Sequence, residues 1–206
     1  RPPGRASDRA TAAAVAHSLN GHLSLTSAAL HHGWEVKTAP QVPHVVFPRK
    51  RNVPQLGRRS VVVHRADLGP DDTSGIATSR DLTLLHCLRA LPDDEALTVA
   101  DSALRHGEVA ALRRVLASVR GAGSAKVRRI GLAADARAAN PFESVTRAIC
   151  LQVPGLNVVP QVELSSEHCW ARPDLVDREL RIVVECESWE WHGDRKGFLK
   201  DVRRYT

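Results

Sequence analysis

The hydrophobic pattern of the first two-thirds of the chain predicts helices interrupted by one pair of strands. The β-branched runs 44–47 and 60–64 flank the basic segment 49–52 and predict a strand pair. Elsewhere, apolar residues recur at helical spacing between glycine or proline stops. The predicted helices cover 12–19, 25–30, 78–90, 93–106, 108–120 and 124–139.

The pattern changes after residue 139. Asn140 is a good N-cap, Pro141 suits the first helical position, and Glu143 completes a capping box, so a helix is predicted from there to about 153. Extended segments follow, the last two joined by the short connection 177–179, and a final helix is predicted over 194–205. The strands are predicted at 158–164, 168–176 and 180–187.

These elements predict an α/β (α+β) protein in two parts. A linker or tail covers 1–10, a mixed body covers 11–122, and an α-β-β-β-α core with its leading helix covers 123–206. The 206 residues suffice for one large domain or two small ones.

Composition narrows the class of protein. With 43% hydrophobic and 25% charged residues the chain matches a globular protein, and no apolar run approaches the length that spans a bilayer. The four cysteines lie far apart, which argues against a zinc ribbon or a disulfide scaffold and favours a cytoplasmic location without membrane contact.

Charge is distributed unevenly along the chain. The net charge is +6, with 20 basic and 12 acidic groups in 1–140 but 9 basic and 11 acidic groups in 141–206. A basic body joined to an acidic core suits an enzyme that binds nucleic acid through a metal ion, although chance also produces such a distribution.

The acidic residues of the last strands form the main candidate site. Glu185 and Glu187 are two residues apart on a strand and share one face, and the predicted hairpin places Asp174 opposite residues 182–184, one diagonal step from Glu185. Crowded carboxylates are tolerated when a cation neutralises them, and oxygen ligands favour Mg²⁺ or Mn²⁺. The alternative interpretation is a solvated strand face, which the apolar run 182–184 before the acids disfavours.

The order of these motifs resembles the very-short-patch-repair-like endonuclease domains of the PD-(D/E)xK superfamily. Asp174 and the Glu-Cys-Glu of 185–187 match its acidic core, and 140–147 (Asn-Pro-Phe-Glu-Ser-Val-Thr-Arg) matches its leading helix. Gln161, the Trp-His of 191–192 and 200–205 match further motifs in the same order. The chain ends before the last strand of the family, so the resemblance implies a restriction-endonuclease-like core truncated at its end.

The resemblance implies a role for each matching residue. Asp174, Glu185 and Glu143 would bind the metal and, with Glu187 and His192, form the catalytic set. Glu187 stands where the superfamily often has lysine. For Glu143 a purely capping role, and for His192 a purely structural role, remain alternatives. The residues expected to contact DNA phosphate or brace the acids are Arg147, Gln161, Arg203 and Arg204.

The body of the chain is similar to abortive-infection type IV antitoxin proteins. The similarity lies in 25–33, 63–65 and 77–85. Such proteins begin with a winged-helix DNA-binding module, which would precede residue 1 here. The sequence therefore predicts a Mg²⁺-dependent DNA endonuclease acting in repair or phage defence, with DNA as partner. The alternative is an inactive DNA-binding regulator or antitoxin, and an oligomer is compatible with either.

Overall fold

A computed structural model describes residues 5–53, 60–165 and 170–186. Within these ranges the chain forms seven α-helices, ten short strands and one 3₁₀ turn at Pro70–Asp72. The helices are α1 (Arg5–Ser18), α2 (Leu25–His31), α3 (Arg80–Ala90), α4 (Asp93–Arg105), α5 (Val109–Ser118), α6 (Ser124–Ala133) and α7 (Pro141–Cys150). The strands are β1 (His22–Leu23), β2 (His44–Phe47), β3 (Val62–Arg65), β4 (Thr73–Ser74), β5 (Ala77–Thr78), β6 (Val159–Pro160), β7 (Leu164–Ser165), β8 (Trp170–Ala171), β9 (Leu175–Asp177) and β10 (Ile182–Val184).

The first five strands form one mixed sheet in the order β3-β2-β1-β5-β4. The predicted strand pair is present as β2 and β3, but the two strands run parallel and are therefore not the two arms of a hairpin. The sheet packs through Val45 and Phe47 against Ala16 of α1. Gly21 is required at this contact, since a Cβ there would come within 2.5 Å of the Val45 side chain.

The remaining helices form a bundle around one apolar core. This core runs from Leu25 in α2 to Ala148 in α7 and includes Trp34, Leu88 and Val127. Helix α4 starts with three acidic residues and ends with Arg105, which suits the charges at the two ends of a helix. The predicted boundary at 122/123 falls between α5 and α6, which both contribute to this core.

Helix α6 is shorter than the sequence predicted. It ends at Ala133, whereas the apolar pattern predicted a helix to 139. The main-chain N–H of Asp135 donates to Asp101 Oδ1 of α4 at 2.8 Å, and this tertiary contact holds the segment after Ala133 in a non-helical course. The connection leads directly into α7, which packs extensively on α4.

The last strands form a three-stranded antiparallel sheet, β10-β9-β6, beside the pair β7-β8. The predicted strand 158–164 is divided into β6 and β7, and 168–176 is divided into β8 and β9. The register is the same on both sides of the interruption, since Pro160 faces Leu175 and Leu164 faces Ala171. The segments β6–β7 and β8–β9 thus pair in a single antiparallel register that is interrupted between the two strand pairs.

The outer strand β10 differs from expectation in its burial. Ile182 and Val183 are 39% and 42% exposed, whereas the sequence suggested a buried run. The cause is position, because β10 pairs with β9 on one side and no other described strand lies on its far side. At the level of class, the mixed α and β architecture confirms the prediction. The predicted helix 194–205 lies outside the described residues.

No helix in the described ranges combines the length and the apolar character needed to cross a membrane.

Candidate functional site

Three predicted site residues lie level with one another on neighbouring strands. Gln161 follows β6, Asp174 precedes β9 and Glu185 follows β10. The main-chain N–H of Gln161 donates to the carbonyl of Asp174 at 2.9 Å. Because Leu175 pairs with Val184, the next step of the ladder places Asp174 across from Glu185. The predicted partner range 182–184 was therefore wrong by at least one residue, because the hairpin closes with Asp177 opposite Ile182.

Glu143 reaches the same point from the first turn of α7. Asn140 Oδ1 caps the helix by accepting the Glu143 main-chain N–H at 3.0 Å, and its amide nitrogen donates to Glu143 Oε1 at 2.8 Å. Glu143 Oε2 accepts the main-chain N–H of Ala139 at 2.8 Å. The side chain is only 3% exposed. Glu143 thus acts in the cap, as one interpretation held, and also faces the strands.

The carboxamide of Gln161 joins the two nearest acids. Its Nε2 donates to Glu143 Oε2 at 3.1 Å and to Asp174 Oδ1 at 3.2 Å. On its other side, Gln161 Oε1 accepts a hydrogen bond from Arg172 Nε at 2.9 Å. The Gln161 backbone adopts a left-handed conformation with φ of 54°, which a residue with a side chain rarely adopts and which is common at functional sites.

Main-chain N–H groups donate to two further oxygens of the acids. The main-chain N–H of Cys186 donates to Asp174 Oδ2 at 2.7 Å, and the N–H of Asp174 lies 3.4 Å from Glu185 Oε2. Asp174 therefore accepts one bond at each oxygen. Glu185 accepts the main-chain N–H of Asp174.

The enclosed position of these acids changes their acid–base properties. Burial raises the pKa of Glu143, and the charge of Asp174 adds to this effect, while the Ala139 amide, Gln161 and the positive charge of Arg105 oppose it. Burial likewise raises the pKa of the Cys186 thiol to about 11, with the nearby acids adding to it. Cys186 is accordingly protonated at neutral pH and is not a thiolate nucleophile.

The donor chemistry suits a hard divalent cation, but the acids are not assembled as a complete metal site. Two carboxylate oxygens, from Glu143 and Asp174, converge on one point, where the Gln161 amide nitrogen lies. Among the described residues, no group of three or more His, Cys, Asp or Glu side chains is placed to hold a metal. Glu187, predicted as part of the catalytic set, lies outside those residues.

Arg147 requires a correction, because it is not placed to contact DNA. Its guanidinium is 3% exposed and donates to both oxygens of Asp101, at 2.6 and 2.7 Å, and to the Ala133 carbonyl at 2.5 Å. Burial raises the pKa of Asp101, while Arg147 opposes this effect. Arg147 therefore braces an acid, but that acid belongs to the helical bundle and not to the candidate site.

The structure also identifies contributors that the sequence did not single out. Arg172 is exposed and is bonded to Gln161. Asn140 clamps Glu143 as well as capping the helix. The sequence signal that could have identified Arg172 is its position two residues before the predicted metal ligand Asp174. The remaining predicted residues, His192, Arg203 and Arg204, lie outside the described residues.

Comparison with known proteins supplies relatives but no activity. Two relatives are uncharacterized proteins of Mycobacterium tuberculosis, from strains CDC 1551 / Oshkosh and H37Rv. Each is 28% identical to this chain over 197 residues, which cover 91% of the chain and 71% of the relative. No protein-family model matches the chain, and no solved structure matches it significantly.

Proposed function

We propose that this chain is a Mg²⁺- or Mn²⁺-dependent DNA endonuclease whose core, residues 139–206, is a very-short-patch-repair-like domain. One observation carries the proposal: Glu143 and Asp174, predicted from separate motifs, share one hydrogen-bond donor, with Glu185 on the adjacent strand. Carboxylates that meet at one point can hold a divalent cation, which activates water and polarises a phosphoryl oxygen.

Each described residue has a definite part in this proposal. Asp174 and Glu143 would hold the cation, and Glu185, beside the Asp174 main chain, would orient water. The exposed guanidinium of Arg172 would bind a DNA phosphate near the acids. A bound Mg²⁺ supplies a water of lowered pKa and neutralises developing charge on the phosphate.

The deciding experiment is nicking of supercoiled plasmid by the full chain in Mg²⁺ or Mn²⁺. We expect cleavage that EDTA stops and that Asp174→Ala reduces below detection. Asp71→Ala is the matched control, since Asp71 is an exposed acid on the 3₁₀ turn of the first sheet. Cleavage by Asp174→Ala at the wild-type rate contradicts the proposal, because the observed cleavage would then not depend on the proposed site.

A second candidate function is a DNA-binding regulator or antitoxin that has lost catalysis. It is favoured by the neutral donors on both oxygens of Asp174 and by the absence of a three-acid group among the described residues. A regulator is expected to bind duplex DNA with an affinity that falls steeply with salt, without cleaving it and without binding Mn²⁺.

A further inference from the structure

Arg172, Gln161 and the two acids form a continuous chain of hydrogen bonds from the surface inward. The exposed Arg172 donates to the Gln161 carbonyl oxygen at 2.9 Å. The amide nitrogen of the same side chain donates to Glu143 at 3.1 Å and to Asp174 at 3.2 Å. The Gln161 amide is therefore held at both ends, and its nitrogen takes the position on which both carboxylates converge.

The bond between Arg172 and Gln161 is the exchangeable link in this chain. A phosphodiester is a stronger partner for a guanidinium than a neutral amide oxygen, because both partners are charged and two parallel bonds can form. Gln161 also has a left-handed backbone, a conformation that persists only when the surrounding structure holds it. Once Arg172 turns to a phosphate, Gln161 keeps only its bonds to the acids and to the neighbouring strand.

We infer that Arg172 and Gln161 form a latch through which a DNA phosphate admits a divalent cation to Glu143 and Asp174. This inference rests on the proposed function. The Gln161 amide takes the place of the cation when DNA is absent, and phosphate binding to Arg172 frees the amide to leave. DNA and cation then bind cooperatively, since each favours the arrangement without the amide between the acids.

The test measures Mn²⁺ affinity of the full chain from the electron paramagnetic resonance of free Mn²⁺, with and without a short duplex DNA. The Asp174→Ala protein provides the baseline for Mn²⁺ held by DNA alone. In the wild type we expect DNA to tighten Mn²⁺ binding roughly 5- to 20-fold, within the usual range of coupling between sites.

Two variants release the latch by different routes. Gln161→Asn keeps an amide and suits a left-handed backbone, but it is one methylene shorter and does not span both carboxylates. Arg172→Ala removes the anchor at the surface, where loss of folding is not a concern. Both are expected to bind Mn²⁺ more tightly without DNA and to retain less than about 2-fold enhancement by DNA. Arg178→Ala, another exposed arginine of the same hairpin, is expected to retain the wild-type coupling.

The outcomes separate this inference from the proposed function. Mn²⁺ binding that depends on Asp174 but is equally sensitive to DNA in wild type and in both variants overturns the latch and leaves the nuclease proposal standing. The same conclusion follows if DNA leaves wild-type Mn²⁺ affinity unchanged. If the wild type binds no more Mn²⁺ than Asp174→Ala does, the metal site itself is absent, and both proposals fail.

Discussion

The helical bundle and the C-terminal strands differ in the size of their apolar cores, and helix α7 contributes to both. In the described residues the bundle core has nineteen buried members, whereas the cluster under the strands has three, Cys150, Val158 and Leu175. Helix α7 contributes to both: Ala148 packs into the bundle and Cys150 packs under the strands. The bundle therefore carries most of the apolar stabilisation, and the strands depend on a helix that the bundle holds in place.

The same contrast holds for charge. Arg147 and Asp101 form a fully buried ion pair in the bundle, with bonds to both carboxylate oxygens. One turn earlier in α7, the hydrogen bonds of Glu143 come from neutral donors, and the charges that act on it are those of the acid Asp174 and of Arg105. The opposite charges of Arg147 and Asp101 thus lie together inside the bundle, whereas the like charges of Glu143 and Asp174 lie together where a cation is proposed to bind.

The strongest way to break this comparison is to remove the buried arginine. We expect Arg147→Ala to lower the free energy of unfolding by about 3–5 kcal/mol, because it leaves the Asp101 carboxylate buried and unpaired. Urea denaturation measures the loss. The double variant Arg147→Met, Asp101→Leu is expected to regain most of it, and a loss below about 1 kcal/mol for Arg147→Ala would show that the pair does not hold the helices.

A matched pair of leucine truncations tests the difference between the cores. Leu88 and Leu175 are both 0% exposed, but only Leu88 lies in the large core. We expect Leu88→Ala to cost about 4 kcal/mol and Leu175→Ala about 2–3 kcal/mol. Hydrogen exchange should show protection lost throughout the chain for Leu88→Ala but only in 158–186 for Leu175→Ala. Equal loss everywhere in both would mean that the two regions unfold as one unit.

The pH dependence of Mn²⁺ binding sharpens the contrast in charge. Because burial raises the pKa of Glu143, its carboxylate takes up a proton at a higher pH than an ordinary glutamate does. We expect Mn²⁺ affinity to fall as the pH is lowered from neutrality, and to begin falling at a higher pH than an ordinary glutamate ligand would cause. Calorimetric titration measures it, and Glu143→Gln should give weaker binding with a flatter profile. An unchanged profile in Glu143→Gln would assign the proton to another group.

The smallest expected effect lies at the turn of the last hairpin. Asp177 is 2% exposed and accepts the main-chain N–H groups of Asn157, Glu179 and Leu180, and the bonds from Leu180 and Asn157 lower its pKa most. A lowered pKa stabilises the fold above the unfolded value, about 3.8, and this contribution disappears as the pH falls through the folded value.

Asp177→Asn is therefore expected to be slightly less stable than the wild type between pH 5 and 8. The difference should shrink below about pH 4, where the unfolded chain takes up the proton, and disappear below the lower pKa of the folded carboxylate. Thermal melts at several pH values measure it. Asp71→Asn, at an exposed acid, should match the wild type throughout, and a difference that grows at low pH would contradict the assignment.

The sequence predicted what depends on near neighbours. The cap at Asn140 and the start of α7 follow from four consecutive residues, and both are present. The parallel course of β2 and β3, the partner of Arg147 and the interruption at Gln161 were not predicted. Each depends on residues far away in the chain, as Asp101 is 46 positions from Arg147. The order of the motifs grouped Glu143 and Asp174 without knowledge of register, and the fold brings both to the Gln161 amide, but their other hydrogen-bond partners were not predicted.

The position of Glu143 and Arg147 on successive turns of α7 has a practical consequence for engineering. A short helix moves as a rigid rod, so a substitution that reshapes the bundle around Arg147 also displaces the first turn, from which Glu143 extends. Efforts to make this protein more heat-resistant by repacking its interior would therefore alter the spacing of its acids, even though no altered residue touches them. Variants selected for heat resistance should therefore also be tested for the proposed binding of Mn²⁺.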